Sequence, residues 1–173
     1  MKLLETLHEH QFVLINNTAP VIDIVGQYIA SQIEFHSYYK VALLAPTITE
    51  ARGLLISVYE QYEKYNPPAP FDKCIKQLRR RNMREFELDN ESCVQAGAVG
   101  MDSTRGQSYN LVFINNFSHV KPEVAETFYQ CILPVLMSGT KSKLVIASGQ
   151  TKFDSMWQTK MENRFYGMEF PQS

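Results

Sequence analysis

The sequence predicts an α/β domain: a mostly parallel sheet flanked by helices, with one antiparallel hairpin. Two observations carry this. Short uninterrupted apolar runs alternate along the chain with longer segments in which apolar residues recur at helical spacing. Toward the middle, a proline-rich break is followed by two short alternating runs around a tight turn.

The apolar runs are residues 12–15 (Phe-Val-Leu-Ile), 41–45 (Val-Ala-Leu-Leu-Ala), 111–114 (Leu-Val-Phe-Ile) and 144–147 (Leu-Val-Ile-Ala). Strands covered on both faces read this way, because neither side of the pleat meets water. Between them lie three helical stripes: Val21, Val25, Tyr28, Ile29 and Ile33; then Ala51, Leu54, Leu55, Val58 and Tyr62; then Val124, Phe128, Ile132, Val135 and Leu136. Pro134 is expected to kink or end the third helix, since it lacks an N–H and its ring clashes with the preceding turn. Strand–helix–strand alternation builds parallel sheets through right-handed crossovers. The break is Asn66-Pro67-Pro68-Ala69-Pro70, and the hairpin is expected at 85–88 and 93–96, turning at Asp89-Asn90 and inserted in the α/β core. With no internal repeat or long linker, residues 1–173 are expected to form one domain.

Composition excludes several classes. Apolar residues at 45% and charged residues at 20% suit a packed globular chain and not a disordered one. A net charge of −1 provides no global field toward DNA or acidic membranes. The opening residues 1–7 are too short and too charged for a signal peptide, and no apolar run reaches membrane-spanning length, so no membrane association is expected. Cys74, Cys93 and Cys131 are odd in number and lack metal-ligand spacing, which points to a reducing cytoplasm and buried or incidental thiols. His8, His10, His36 and His119 are scattered, so neither metal nor cofactor is expected. Ser148 has no nucleophile-elbow context. Among the tyrosines, Tyr59 and Tyr62 sit at helical spacing and read as core, in preference to a base-stacking platform with Tyr38, Tyr39 and Tyr65.

The stretch from Phe86 to Gln150 is the most informative. A polar hairpin leads into Arg105-Gly106, then an apolar strand ending in Asn115-Asn116, a helix with a proline and a Ser-Gly, and a Lys-preceded strand ending in Ser148-Gly149-Gln150. In order and spacing this resembles the packaging ATPase of tailed-phage large terminases, and the first half also fits that family's strand, nucleotide loop, helix and strand. The resemblance implies a P-loop-NTPase-like fold. Measured against it, the chain starts beyond the family's adenine-contacting Gln and ends before a nuclease domain, so neither is expected here.

The chemistry of that family is not expected to follow. A phosphate loop uses glycine N–H groups, a Lys and a Mg²⁺-holding hydroxyl. After the first strand this chain reads Asn16-Asn17-Thr18-Ala19-Pro20-Val21-Ile22-Asp23. Pro20 stands at the last glycine and removes a donor, Val21 stands at the Lys and Ile22 at the hydroxyl. Asp23 suits the helix dipole and repels phosphate. Asn17 or Thr18, with Pro20 close behind, look like an ordinary helix start. Where the resemblance places the Mg²⁺ and water-orienting carboxylates, Asn115 and Asn116 offer neutral amides, which cannot act as a base. Losing these groups together removes most of the electrostatic stabilisation that phosphoryl transfer needs.

Lys76, Arg79, Arg80, Arg81 and Arg84 form a dense basic cluster, expected on a loop or short helix. It reads either as a weak DNA or acidic-partner contact or as a solvated face, and the second is the expectation. For Arg105 two readings stay open: a contact to a neighbouring molecule or a local ion pair. Two functions of different class follow. One is a catalytically inactive terminase-ATPase relative, binding or regulatory, with a phage protein as partner. The alternative is a low-activity ATPase completed by a partner or by groups elsewhere in the chain. Fold alone does not name the partner.

Overall fold

The computed structural model describes residues 2–16, 21–65, 78–100, 108–138, 141–148 and 166–169. Its helices are α1 (Lys2–Glu9), α2 (Val21–Phe35), α3 (Ile48–Tyr65) and α4 (Pro122–Ser138). Its strands are β1 (Phe12–Asn16), β2 (Lys40–Ala45), β3 (Leu78–Arg81), β4 (Glu85–Leu88), β5 (Cys93–Ala98), β6 (Leu111–Ile114), β7 (Lys143–Ser148) and β8 (Tyr166–Glu169). All eight form one sheet in the order β3-β4-β5-β2-β6-β7-β1-β8. From β5 to β8 every pairing is parallel, while β4 runs antiparallel to β5 and β3 antiparallel to β4.

The four apolar runs became β1, β2, β6 and β7, the centre of the sheet, for the expected reason: both faces are covered. Alternate residues face opposite ways. Val41, Leu43, Leu111, Phe113 and Val145 join a core with α1, α2 and α3, while Ala42, Leu44, Val112, Ile114 and Ile146 join a second core with α4. The stripe on α2 is buried throughout, as is that on α3. Each such Val, Leu or Ile contributes about 1.5–3 kcal/mol on burial. On α4, Phe128 is buried and Val124 packs against the second core. The helix continues past Pro134 to Ser138, so of the two expected outcomes, a kink or an end, the proline does not produce the end.

Local chemistry sets several boundaries. Thr47, just beyond β2, accepts from the Glu50 amide at 3.2 Å through Oγ1 and caps α3, the Thr-x-x-Glu pattern of a helix start. The hairpin of β4 and β5 forms as expected, closing through Glu91 N–H to Leu88 O at 3.1 Å, with Glu91 at φ 63°. It anchors the end of α2. The Asn90 amide donates to Ile33 O at 2.8 Å and His36 O at 3.1 Å, satisfying carbonyls that the helix leaves open. Strand β5 also pairs parallel with β2, from Lys40↔Cys93 to Ala45↔Ala98, so the hairpin extends the main sheet and β3 continues it.

Three elements went beyond the sequence reading: α1, β3 and β8. Helix α1 buries Leu3 and Leu7 one turn apart. Lys143 donates from Nζ to Leu7 O, and to His10 O at 2.6 Å, closing the helix end over β7. Burial lowers the Lys143 pKa. The break at 66–70, the candidate caps Asn17 and Thr18, and Cys74 lie outside the described residues. Among the described residues, no helix is long and apolar enough to cross a membrane, and no group of His, Cys, Asp or Glu could hold a metal.

Candidate functional site

The carboxyl ends of the central strands meet in register. Asn16 pairs with Ser148 across β1 and β7, and Ile114 pairs with Ile146 one strand further in. Asn115 follows directly. Its backbone N–H donates to Leu44 O at 2.9 Å, extending the ladder one residue past β6. Its side chain is 5% exposed, and Oδ1 is buried without a hydrogen-bond partner. Such an unsatisfied acceptor costs about 1–3 kcal/mol. Asn116 then takes the left-handed conformation, φ 54° and ψ 38°, and turns the chain into a 3₁₀ turn at Phe117–His119. Asn is the non-glycine residue that tolerates this region best, together with Asp. The turn is closed by His119 N–H to Asn116 O at 2.9 Å and tied to β7 by Ser118 N–H to Ser148 Oγ at 3.2 Å.

The head of α2 is packed into the first core. Val21 is fully buried in the first core and Ile22 packs against it. Asp23 is exposed and accepts from Gln61 Nε2 of α3 at 3.0 Å. Pro20 lies outside the described residues. Positions 21 to 23 therefore present two apolar side chains and a carboxylate at the head of the helix.

The fold has clear counterparts among solved structures. The large-terminase ATPase domain of Thermus phage P74-26 superposes with a TM-score of 0.65 at 12% identity, covering 90% of this chain and 66% of that one. The large terminase of a second thermophilic bacteriophage, solved in complex with ADP, superposes with a TM-score of 0.63 at 9% identity, covering 95% of this chain and 41% of that one. The fold is that of a large-terminase ATPase domain. No protein-family model matches the sequence. The chain thus spans about two-thirds of the isolated terminase ATPase domain and about two-fifths of the ADP-bound terminase.

The arginine cluster sits elsewhere on this terminase-type sheet. Arg79, Arg80 and Arg81 are on β3, an edge strand, and not on a loop or short helix as expected; Arg84 lies in the β3–β4 turn. Four strand spacings separate β3 from β6, roughly 19 Å at about 4.8 Å each, so the structure does not join the cluster to Asn115. Two of its cations are already matched. Arg79 pairs with Glu87 at 3.1 Å, and Arg80 pairs with Glu85 at 2.8 Å and Glu87 at 3.3 Å. Register explains this: Arg80 faces Glu87, while Arg81 faces Phe86 on the other side of the sheet. There the Arg81 guanidinium lies 3.7 Å from the Tyr59 ring centroid. Arginines on an exposed edge also discourage pairing with another chain's strand. Lys76 and Arg105 lie outside the described residues.

Sequence reasoning passed over Glu85 and Glu87, though their two-residue spacing in Glu-Phe-Glu-Leu was the signal that both share one face of a strand. It also passed over Arg52, Ile56 and Met83, which converge beside Arg81. No local pattern announces that meeting, because it joins a helix to a distant turn. Tyr59 and Tyr62 are buried against Phe86, as core tyrosines.

Proposed function

We propose that this chain is a catalytically inactive relative of the phage large-terminase ATPase domain, keeping the fold as a binding or regulatory scaffold in phage DNA packaging or DNA metabolism. The observation that carries the reading is the burial of Val21. At the position where the resemblance puts a phosphate-binding Lys, the side chain belongs to the hydrophobic core. Asn115 and Asn116, where the resemblance puts carboxylates, agree with it: one is buried and neutral, and the other serves a left-handed turn.

The alternative, an ATPase of low activity completed by a partner or by other groups, has one observation in its favour. Asn115 Oδ1 is an open acceptor at the same sheet edge. Because one large terminase of this fold binds ADP, an adenine nucleotide is the ligand to test. Calorimetric titration with ATP and Mg²⁺ is expected to show no saturable heat. Micromolar binding would overturn the inactive reading.

A further inference from the structure

Between α3 and the β3–β4 turn lies an open groove of about 430 Å³. Ile56 and Met83 stand on its walls with 52% and 70% of their surface in solvent, and Leu55, Tyr59 and Phe86 line it below. Among the described residues, its ionisable lining is cationic apart from the Tyr59 phenol: Arg52 and Arg81. Glu63, which acts on the Tyr59 hydroxyl, does not line it. The Arg81 guanidinium is held in place over the Tyr59 ring, and Arg52 Nε is buried without an acceptor. Two guanidinium groups over an apolar floor, one with an unmatched donor, complement a carboxylate flanked by bulky apolar side chains. Guanidinium groups receive carboxylates through paired, charge-assisted hydrogen bonds, and a flexible methionine adapts to the apolar neighbours.

We propose that this groove docks an acidic, apolar-anchored peptide segment of a partner protein. Its anchors pack against Ile56, Met83 and Phe86, and its carboxylate is received by Arg52 and Arg81. A nucleic-acid strand fits less well. Arg79 and Arg80 already pair with Glu85 and Glu87, and a phosphate backbone makes no use of Ile56 or Met83. The inference deepens the scaffold reading and rests on it. ATP binding in the calorimeter would overturn the inactive reading without deciding the groove, which lies at the opposite side of the sheet centre.

The test is selection of 12-residue peptides displayed on phage against the full chain, with synthetic winners titrated by fluorescence anisotropy. Enriched peptides are expected to carry Asp or Glu beside Leu, Ile, Phe or Trp. Their affinity should fall at least tenfold for Met83→Ser and for Arg81→Gln, while circular dichroism shows both variants folded. Met83→Ser alters an exposed side chain, so it isolates docking from folding. Any of four results would overturn the proposal: no enrichment, winners without acidic residues, undiminished binding to Met83→Ser, or displacement by a DNA oligonucleotide matching that by unlabelled peptide. Concentration-dependent dimerisation abolished by Met83→Ser would likewise overturn it, by assigning the groove to a second copy of the chain.

Discussion

Gln61 on α3 donates from Nε2 to Asp23 Oδ1 on α2 at 3.0 Å, and this bond holds the Gln61 stem against the one place where α2 has no side chain. A Cβ added at Gly26 would stand 3.1 Å from Gln61 Cγ and 3.8 Å from the Val58 Cα. Gln61 is 6% exposed, so it has little room to retreat.

Gly26→Ala is therefore expected to destabilise the protein by about 1 kcal/mol, although alanine is intrinsically better in a helix by about 1 kcal/mol. With Gln61→Ala as background, the same change should stabilise. Urea titrations of the four proteins in the double-mutant cycle measure the coupling. An additive cycle would show that Gln61 does not set the helix approach.

Repairing single catalytic positions should harm the fold without restoring chemistry. Val21→Lys introduces an ammonium into a fully buried site, and a loss on the order of 3 kcal/mol is expected. Asn115→Asp with Asn116→Glu adds carboxylates without a Lys at position 21, and groups that act as a unit are non-additive. Thermal melts and a phosphate-release assay decide. Clear turnover from either repair alone would contradict the reading of a dismantled site.

Asn116 is expected to matter for its backbone and not for its amide. At φ 54°, Asn116→Gly should leave stability within about 0.5 kcal/mol, whereas Asn116→Val should cost about 1–2 kcal/mol by forcing a β-branched residue into the left-handed region. Equal losses in the two variants, read by denaturant midpoint, would instead assign the amide a bonding role.

The arginine strand should bind DNA weakly or not at all, because Glu85 and Glu87 sit beneath two of its cations. Anisotropy with a labelled duplex at low salt is expected to show no saturation. If binding does appear, falls steeply with salt and is reduced by Arg79→Ala, Arg80→Ala and Arg81→Ala together, the surface is a phosphate contact after all. Arg80→Ala alone should cost no more than about 1 kcal/mol of stability, as exposed pairs do.

The α/β character and the central strands were determined by the sequence itself. Runs such as Leu111–Ile114 have no polar face to offer water, so they must be covered on both sides, and the stripes on α2 and α3 declare which side of each helix does the covering. That positions 21, 115 and 116 carry Val, Asn and Asn, where the resemblance would put a Lys and carboxylates, was equally legible, since it is a matter of residue type alone. What only the tertiary structure decided were relations between distant segments. It showed that Arg79, Arg80 and Arg81 form an edge strand in which two cations pair with β4 carboxylates, that Asn116 is a left-handed turn, and that Arg52 and Ile56 meet Arg81 and Met83 across a groove. Such relations depend on strand pairing and helix approach. Those are set by the packing of the whole core, and no window of neighbouring residues contains them.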